Sequence, residues 1–350
     1  MVSVSHYQGR KINLAIVGAT GAVGTEMLTC LAKRHFPVGI LRLFSSAKSV
    51  GQTVRFVNQT LMVEELREDT DLKGIDIALF AAGSAISRHY APIMAQKGII
   101  VIDNSSAFRM TSHVPLVVPE VNPQALEHHH NIIANPNCST IIASLPIKAI
   151  DGINPVRRVI ASTYQAASGA GAAGMQELID STVAYLEHQK FSPKIFPHPY
   201  GFNLFSHNTA IDEQGYNEEE MKMTHETRKI LEKPDFRISA TCIRVPVLRT
   251  HCESLNIECE NEVDLLQIVD VLKHFPGIKV VDNRKDNVFP MPNITSEQDN
   301  ILVGRIRYDL TDPSHKTFWL WISGDQLLKG AALNAVQIAE KLTFDLQQFS

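Results

Sequence analysis

The segment Asn135-Pro-Asn137-Cys138-Ser-Thr140 stands between a short apolar run, Ile132 to Ala134, and a longer one, Ile141 to Ile150. Asn137 reads as a helix N-cap, which puts Cys138 in the first helical turn. The positive end of a helix dipole lowers a thiol pKa there, and the thiolate is the nucleophilic form. An isolated free cysteine is more often a small buried hydrophobe. Strand-loop-helix placement sets Cys138 apart from that rule, while Cys30, Cys242, Cys252 and Cys259 fall within helix or strand patterns and follow it. No metal is expected. Cys252 and Cys259 lie near His251 but lack the second ligand pair that zinc requires. The tract His128-His-His130 reads as a solvated turn, because three consecutive side chains cannot converge on one ion from regular structure.

Gly18-Ala-Thr20-Gly21-Ala22-Val23-Gly24 suits the other half of a redox reaction. It separates an apolar strand from an amphipathic helix, where a dinucleotide pyrophosphate rests on backbone N–H groups at the helix N-terminus. The glycines permit a tight turn, close approach to the phosphates and close helix packing. Their spacing is G-x-x-G-x-x-G and not the commoner G-x-G-x-x-G. Gly18, Thr20, Gly21, Ala22 and Val23 are the expected contacts. An NAD site usually adds an acid about 20 residues further on to hold the ribose 2′-OH, yet after Glu26 the next acid in this chain is Glu64. The second strand ends instead in Phe44-Ser-Ser46-Ala-Lys48-Ser49. Ser46, Lys48 and Ser49 suit the extra 2′-phosphate of NADP(H).

Positioning these groups requires a strand-helix alternation first. Ile12 to Val17, Ile40 to Phe44, Ile75 to Ala82, Ile99 to Ile102 and Ile132 to Ala134 read as strands, with helices over Ala22 to His35 and Ala85 to Gln96. Continuous apolar strands between helices predict a parallel sheet covered on both faces, of Rossmann type. After Cys138 the strands are longer and more polar: Arg157 to Tyr164, Ile238 to Pro246, Leu255 to Glu258, Ile301 to Leu310 and Phe318 to Ile322. Helices are expected at Gly174 to Gln189, Glu218 to Leu231 and Glu262 to His274. This second half predicts a mostly antiparallel sheet with helices on one face. A last helix, Gln326 to Leu346, has an apolar stripe at Leu327, Leu328, Ala331, Ala335, Ile338 and Leu342 and must pack on something. The fold class is therefore α/β, a Rossmann-type parallel-sheet domain plus an α+β domain.

Composition narrows the partners. The 350 residues hold 33 Lys+Arg against 37 Asp+Glu, a net charge of −4, with both signs spread along the chain. A nucleic-acid binder gathers basic residues on one face, so none is expected here. Met1 to Arg10 lacks the pattern of a signal peptide, and the apolar runs are far below the roughly 20 residues of a membrane span. Five scattered cysteines point to a reducing compartment, the cytoplasm.

From end to end the sequence resembles the aspartate-semialdehyde dehydrogenases. The resemblance is carried by GATGAVG at 18–24, NPNCST at 135–140, TYQAASGAG from Thr163 to Gly171, RVPVLRTHCES from Arg244 to Ser254, and GDQLLKGAALNAVQIAE from Gly324. The family's glutamine follows its cysteine by 27 residues, and here 165 − 138 = 27. Its arginine precedes its histidine by seven, and 251 − 244 = 7.

The resemblance implies that Cys138, His251 and Gln165 are catalytic. A Cys138 thiolate adds to an aldehyde, and a base, His251, takes the hydroxyl proton as hydride leaves for the nicotinamide. Inorganic phosphate then attacks the thioester to give an acyl phosphate, the whole running in reverse in biosynthesis of lysine/diaminopimelate, threonine and methionine. Arg244 grips the substrate carboxylate, Glu219 faces its ammonium with Gln165 orienting the intermediate, and Arg109, Lys222 and Asn137 take phosphate. Ser168, Gly169 and Gln326 line the cofactor. Glu220 is the alternative to Glu219, because an acidic triplet after Asn217 also suits a helix N-terminus. Residues 1–136 with 325–350 form the NADP-binding domain, and 137–324 the catalytic and dimerisation domain of a homodimer or homotetramer. Two rivals predict otherwise. N-acetyl-gamma-glutamyl-phosphate reductase shares the chemistry, and a non-catalytic NADP-binding redox sensor shares the fold.

Overall fold

The computed structural model describes residues 11–343. They divide into one unit of 11–136 with 331–343 and a second of 137–330.

In chain order the first unit contains β1 (Ile12–Val17), α1 (Ala22–Lys33), β2 (Val38–Ser45), β3 (Thr53–Phe56), β4 (Gln59–Glu65), β5 (Ile77–Phe80), α2 (Ser84–Gln96), β6 (Ile100–Asp103) and β7 (Ile132–Ala134). The sheet order is β3-β4-β2-β1-β5-β6-β7. Every neighbouring pair is parallel except β3 with β4. β5 and β6 are buried at every residue, as strands between two helical layers must be. β2 lies on one side of β1 and β5 on the other, so the chain reverses direction across the sheet at β1. That switch point is where ligands bind in open α/β sheets.

The β3–β4 hairpin is absent from the sequence expectation. The residues of β3 alternate between full and partial exposure, β4 buries Val63 alone, and Val57, with φ +51°, makes the turn; none of these features stands out among ordinary polar residues. The final helix, Leu333–Thr343, is anchored within this unit. Arg34, the C-cap of α1, grips Glu340 with two hydrogen bonds of 2.6 and 2.7 Å, and Asn334 Nδ2 donates to the Val117 carbonyl. Leu333, Val336, Ile338 and Leu342 give it the buried face. Expected from Gln326, this helix begins only at Leu333, after a π-helical stretch at Leu328–Ala332. Residues 344–346 of the expected span lie outside the described residues. Residues 325–330, assigned by sequence to the first domain, pack in the second unit. Asp325 accepts there from Arg249 Nε at 2.7 Å, and Gln326 from the Thr250 N–H at 2.8 Å.

The second unit runs α3 (Cys138–Asp151), β8 (Val156–Gln165), α4 (Gly171–Leu186), β9 (Phe205–Ser206), α5 (Glu218–Ile230), β10 (Arg237–Arg244), β11 (His251–Cys259), α6 (Leu265–His274), β12 (Ile278–Val280), α7 (Pro292–Thr295), β13 (Ile301–Tyr308) and β14 (Thr317–Gly324). The sheet order is β12-β13-β14-β11-β8-β10-β9. Pairing is antiparallel except for β8 with β10 and β12 with β13. β8 shows why only one face is covered: Val159, Ala161, Thr163 and Gln165 are buried, while Ile160 and Tyr164 stay partly in water. α3 packs on the buried face and is itself buried nearly all round from Ser139 to Ile150, as its apolar composition on every side requires. β11 begins at His251, four residues before the expected Leu255. Among the described residues no helix is long and apolar enough to cross a membrane.

Candidate active site

In the first unit, the chain leaves β1 through Gly18, whose φ of +90° favours glycine. A Cβ on Gly18 would lie 2.7 Å from the Ala81 carbonyl oxygen, and one on Gly24 would run into the Gly18 carbonyl. Both positions therefore exclude side chains, and α1 starts directly behind the turn with Gly21 as N-cap and no acid in its first turn. Unpaired N–H groups at such a helix end attract a phosphate. Thr20 Oγ1 is 2.7 Å from Ser45 Oγ and donates to Ser49 Oγ at 3.2 Å, tying the turn to the end of β2. Ser46 and Lys48 are exposed there. β4 brings one acid nearby, but Arg42 clasps Glu64 at 2.9 and 2.5 Å. The residues present thus fit a dinucleotide. Arg109, also in this unit, is buried and donates to the carbonyls of Asn135 and Asn104 at 3.0 and 2.8 Å.

In the second unit, register does the gathering. Parallel strands β8 and β10 end side by side at Gln165 and Arg244, and β11, antiparallel to β8, starts at the same end with His251. Gln165 thus meets Arg244 and His251, both distant from it in sequence, at one end of adjacent strands. Arg244 Nη1 donates to the Ala166 carbonyl at 3.1 Å, its guanidinium lies 5.5 Å from the Phe196 ring, and its Nε has no partner among the described residues. A Cβ on Gly169 would sit 3.0 Å from Arg244 Nη1 and 3.5 Å from the His251 ring. Gln326 Nε2 donates to Ser168 Oγ. His251 is fully buried, its pKa pushed down to about 3 by burial and by the Arg244 charge.

Asn137 caps α3 by accepting from the Ser139 and Thr140 N–H groups at 3.0 and 3.4 Å. Its Nδ2 donates to Glu219 Oε1 at 2.8 Å, and Gln165 Nε2 donates to the same oxygen at 3.1 Å. Lys222 Nζ lies 3.6 Å from Glu219 Oε2. Burial opposes ionisation of Glu219, but the pull of His207 and Lys222 and these two hydrogen bonds hold it below the ordinary carboxylate range. Glu220 turns the other way. It accepts from the Asn217 N–H in a capping box and from the Cys242 N–H at 2.9 Å.

Cys138, at the first position of α3, is partly exposed. A Cβ on Gly330 would come within 2.8 Å of Cys138 Cβ, so glycine there gives the cysteine its room. The buried thiols differ: burial pushes Cys252 up to about 11 and Cys259 up to about 12, and Cys242 higher still. His129, within the histidine tract, accepts from the Asn131 N–H at 3.1 Å and is pushed down by burial. Sequence reasoning missed His207, which the fold sets within electrostatic reach of Glu219, Arg244 and His251. Burial pushes it down to about 4. A lone histidine in a loop carries no sequence signal for this.

Family models agree with the geometry. The semialdehyde dehydrogenase NAD binding domain matches residues 13–129, and the semialdehyde dehydrogenase dimerisation domain matches 147–329. The chain is 46% identical to the aspartate-semialdehyde dehydrogenase of a Synechocystis species, over 95% of this chain and 97% of that one. It is 44% identical to that of Bacillus subtilis, over 95% and 98%. Among solved structures, aspartate semialdehyde dehydrogenase II of Vibrio cholerae, complexed with ASA, superimposes with a TM-score of 0.93 at 41% identity, covering 97% of this chain and all of that one. A glycine cradle for a nicotinamide dinucleotide and a cysteine at a helix N-terminus, on this fold and at these identities, place the chain in the aspartate-semialdehyde dehydrogenase family of oxidoreductases, which act on an aldehyde or acyl phosphate in amino-acid biosynthesis.

Proposed function

We propose that the chain is an NADP-dependent phosphorylating dehydrogenase that interconverts L-aspartyl-4-phosphate and L-aspartate-4-semialdehyde through a thioacyl intermediate on Cys138, in the biosynthesis of lysine/diaminopimelate, threonine and methionine. The observation that supports it best is the Glu219 carboxylate, fixed between Asn137 and Gln165. A buried anion beside a buried arginine answers a substrate with a free ammonium and a carboxylate. An N-acetylated substrate would leave Glu219 without a cationic ligand, which disfavours the glutamyl-phosphate rival.

Cys138 attacks the reacting carbon, Arg244 holds the α-carboxylate and Glu219 the α-ammonium. Gln165 donates to Glu219, and the Thr163 hydroxyl donates to its carbonyl at 3.3 Å, so its amide is fixed when it meets the intermediate. His251 faces the oxygen on the reacting carbon. Arg109 and Lys222 supply charge for phosphate. Asn137 has its backbone N–H committed to Glu226 at 2.6 Å and one amide proton to Glu219, so its second amide proton is what it offers. NADP(H), which accepts or supplies the hydride, rests on Gly18, Thr20, Gly21, Ala22 and Val23, with Ser46, Lys48 and Ser49 toward its 2′-phosphate. Ser168, Gly169 and Gln326 complete the cofactor contacts. The working form is a homodimer.

The test is phosphate-dependent reduction of NADP by aspartate semialdehyde, followed at the nicotinamide absorbance. Native protein turns over, Cys138→Ala does not, and Lys48→Asp lowers the NADP-to-NAD ratio of kcat/KM by at least about tenfold, the equivalent of one charge-assisted hydrogen bond. No phosphate-dependent turnover by folded native protein refutes the substrate assignment.

A further inference from the structure

Asn137 stands directly before Cys138, and nearly every polar group it owns is committed. Its Oδ1 accepts from the Ser139 and Thr140 N–H groups, its carbonyl accepts from the Ile141 N–H at 2.9 Å, and one Nδ2 proton goes to Glu219. Its backbone N–H donates to Glu226 Oε2 at 2.6 Å. Among the described residues only the second amide proton is left for a ligand. Glu219 and Glu226 lie two turns apart on the buried face of α5. One helix therefore holds Asn137 by its side chain and by its main chain together.

The Glu226 carboxylate is 1% exposed, and burying a charge is costly. Capping α3 does not call for it, because the Asn137 side chain already caps that helix. Nor does the start of α5, where Asn217 and Glu220 make the capping box. Lys229, one turn on, balances the charge: burial lowers its pKa and the Glu226 anion opposes that fall. What the bond to Asn137 secures is the main chain that leads into the nucleophile. Cys138 itself is closely seated, since a Cβ on Gly330 would stand 2.8 Å from Cys138 Cβ. The thiol thus has little room to compensate for a shift in the residue before it.

We propose that Glu226 is a positioning residue of this reaction, which through the Asn137 N–H fixes the main chain ahead of Cys138 and aims the remaining Asn137 amide proton at phosphate. This rests on the proposed reaction and deepens it. Glu226 moves no proton and meets no substrate. It acts as an acceptor of the right reach and not as a charge. A neutral amide oxygen on a side chain of the same length can take the Asn137 N–H, whereas a carboxylate one methylene shorter cannot. A misplacement of about 1 Å in a reacting group costs about 100-fold in rate.

Steady-state kinetics of Glu226→Gln, Glu226→Asp and Glu226→Ala in the phosphate-consuming direction test the proposal. In the alanine and aspartate variants kcat/KM for phosphate should fall by about 10- to 100-fold, while KM for the semialdehyde, held by Arg244, stays within about threefold of native. Glutamine should restore both to within about fivefold. A merely structural role would lower the melting temperature of the variants and leave the kinetics of the folded protein native. A second readout uses no substrate. Hydrogen–deuterium exchange at residue resolution should find the Asn137 N–H as slow in Glu226→Gln as in native protein, and about tenfold faster in Glu226→Ala and Glu226→Asp. Native phosphate kinetics in a folded alanine or aspartate variant, a glutamine variant as impaired as alanine, or an Asn137 N–H equally protected in all four proteins overturns the proposal. Should alanine fail to fold, aspartate carries the same comparison. Absence of native turnover counts against the substrate assignment instead, and leaves the exchange rates to show whether Glu226 fixes Asn137.

Discussion

Glu219 and Glu220 are neighbours in sequence and opposites in use. One oxygen of Glu219 collects two amide donors, while Glu220 closes the capping box of α5. The two carboxylates therefore fail differently. Glu219→Gln removes the anion proposed for the substrate ammonium and leaves amide groups facing amide groups. Losing a hydrogen bond to a charge costs about 1.5–3 kcal/mol, so kcat/KM should drop by about 10- to 100-fold while the melting temperature changes little. Glu220→Ala should lower stability by about 1 kcal/mol, a typical helix-cap loss, with kcat/KM within about twofold of native. Steady-state kinetics and thermal denaturation of the pair decide it, and reversed outcomes would assign the functional acid to Glu220. Sequence alone left the two open, because an acidic triplet is legible as a helix start whichever member turns inward. Gln165, Arg244 and His251 were legible through the family resemblance, whose spacings of 27 from Cys138 to Gln165 and seven from Arg244 to His251 this chain repeats. His207 was not, since only tertiary packing makes it a neighbour of Glu219.

At the scale of elements, β11 carries more than its histidine. Glu253, two residues on and on the same buried face, pairs across the ladder with Thr163 and Ile322. It is fully buried, neither carboxylate oxygen has a partner among the described residues, and burial raises its pKa well above the carboxylate range. A charge there would be costly, so the carboxyl stays protonated. The sign of the pH dependence follows. Above about pH 4.3 the unfolded chain releases this proton while the native chain keeps it, so the unfolded state binds fewer protons and native stability falls as pH rises toward the raised native pKa. Glu253→Gln removes that linkage. Melting curves should coincide for native and variant near pH 4 and separate in favour of the variant by pH 8; parallel curves across the range would show that Glu253 is ionised in the native state. The sequence reading missed this residue because it began the strand at Leu255; alternation carried back from Leu255 and Ile257 sets Glu253 on the buried face. The β3–β4 hairpin escaped for another reason, being too polar and exposed to announce a strand. The apolar strands β1, β5 and β6 were legible because burial on both faces leaves no polar alternation to confuse them.

For the molecule as a whole, the bare face of the second sheet is the expected site of the dimer contact. α3 takes one face. The other presents Ile160 and Tyr164, each 37% exposed, with Tyr164 tilted against Trp321 at 5.3 Å between ring centroids. Arg158 and Glu258 form an ion pair of 2.8 Å across neighbouring strands on the same face. An apolar centre with charged groups beside it is the composition of a protein interface, and the strands lie within the region that matches a dimerisation domain. A two-fold axis through such a face brings each residue against its own counterpart region, so one substitution acts twice. Ile160→Asp therefore buries two carboxylates in a closed dimer, each short of partners and each costing several kcal/mol. That is enough to move a dimer with nanomolar affinity toward the micromolar range, where about 1.4 kcal/mol is tenfold. Light scattering of the variant at micromolar concentration should give the monomer mass where native protein gives twice that. A dimer mass in both would place the two-fold contact on another face of the second unit.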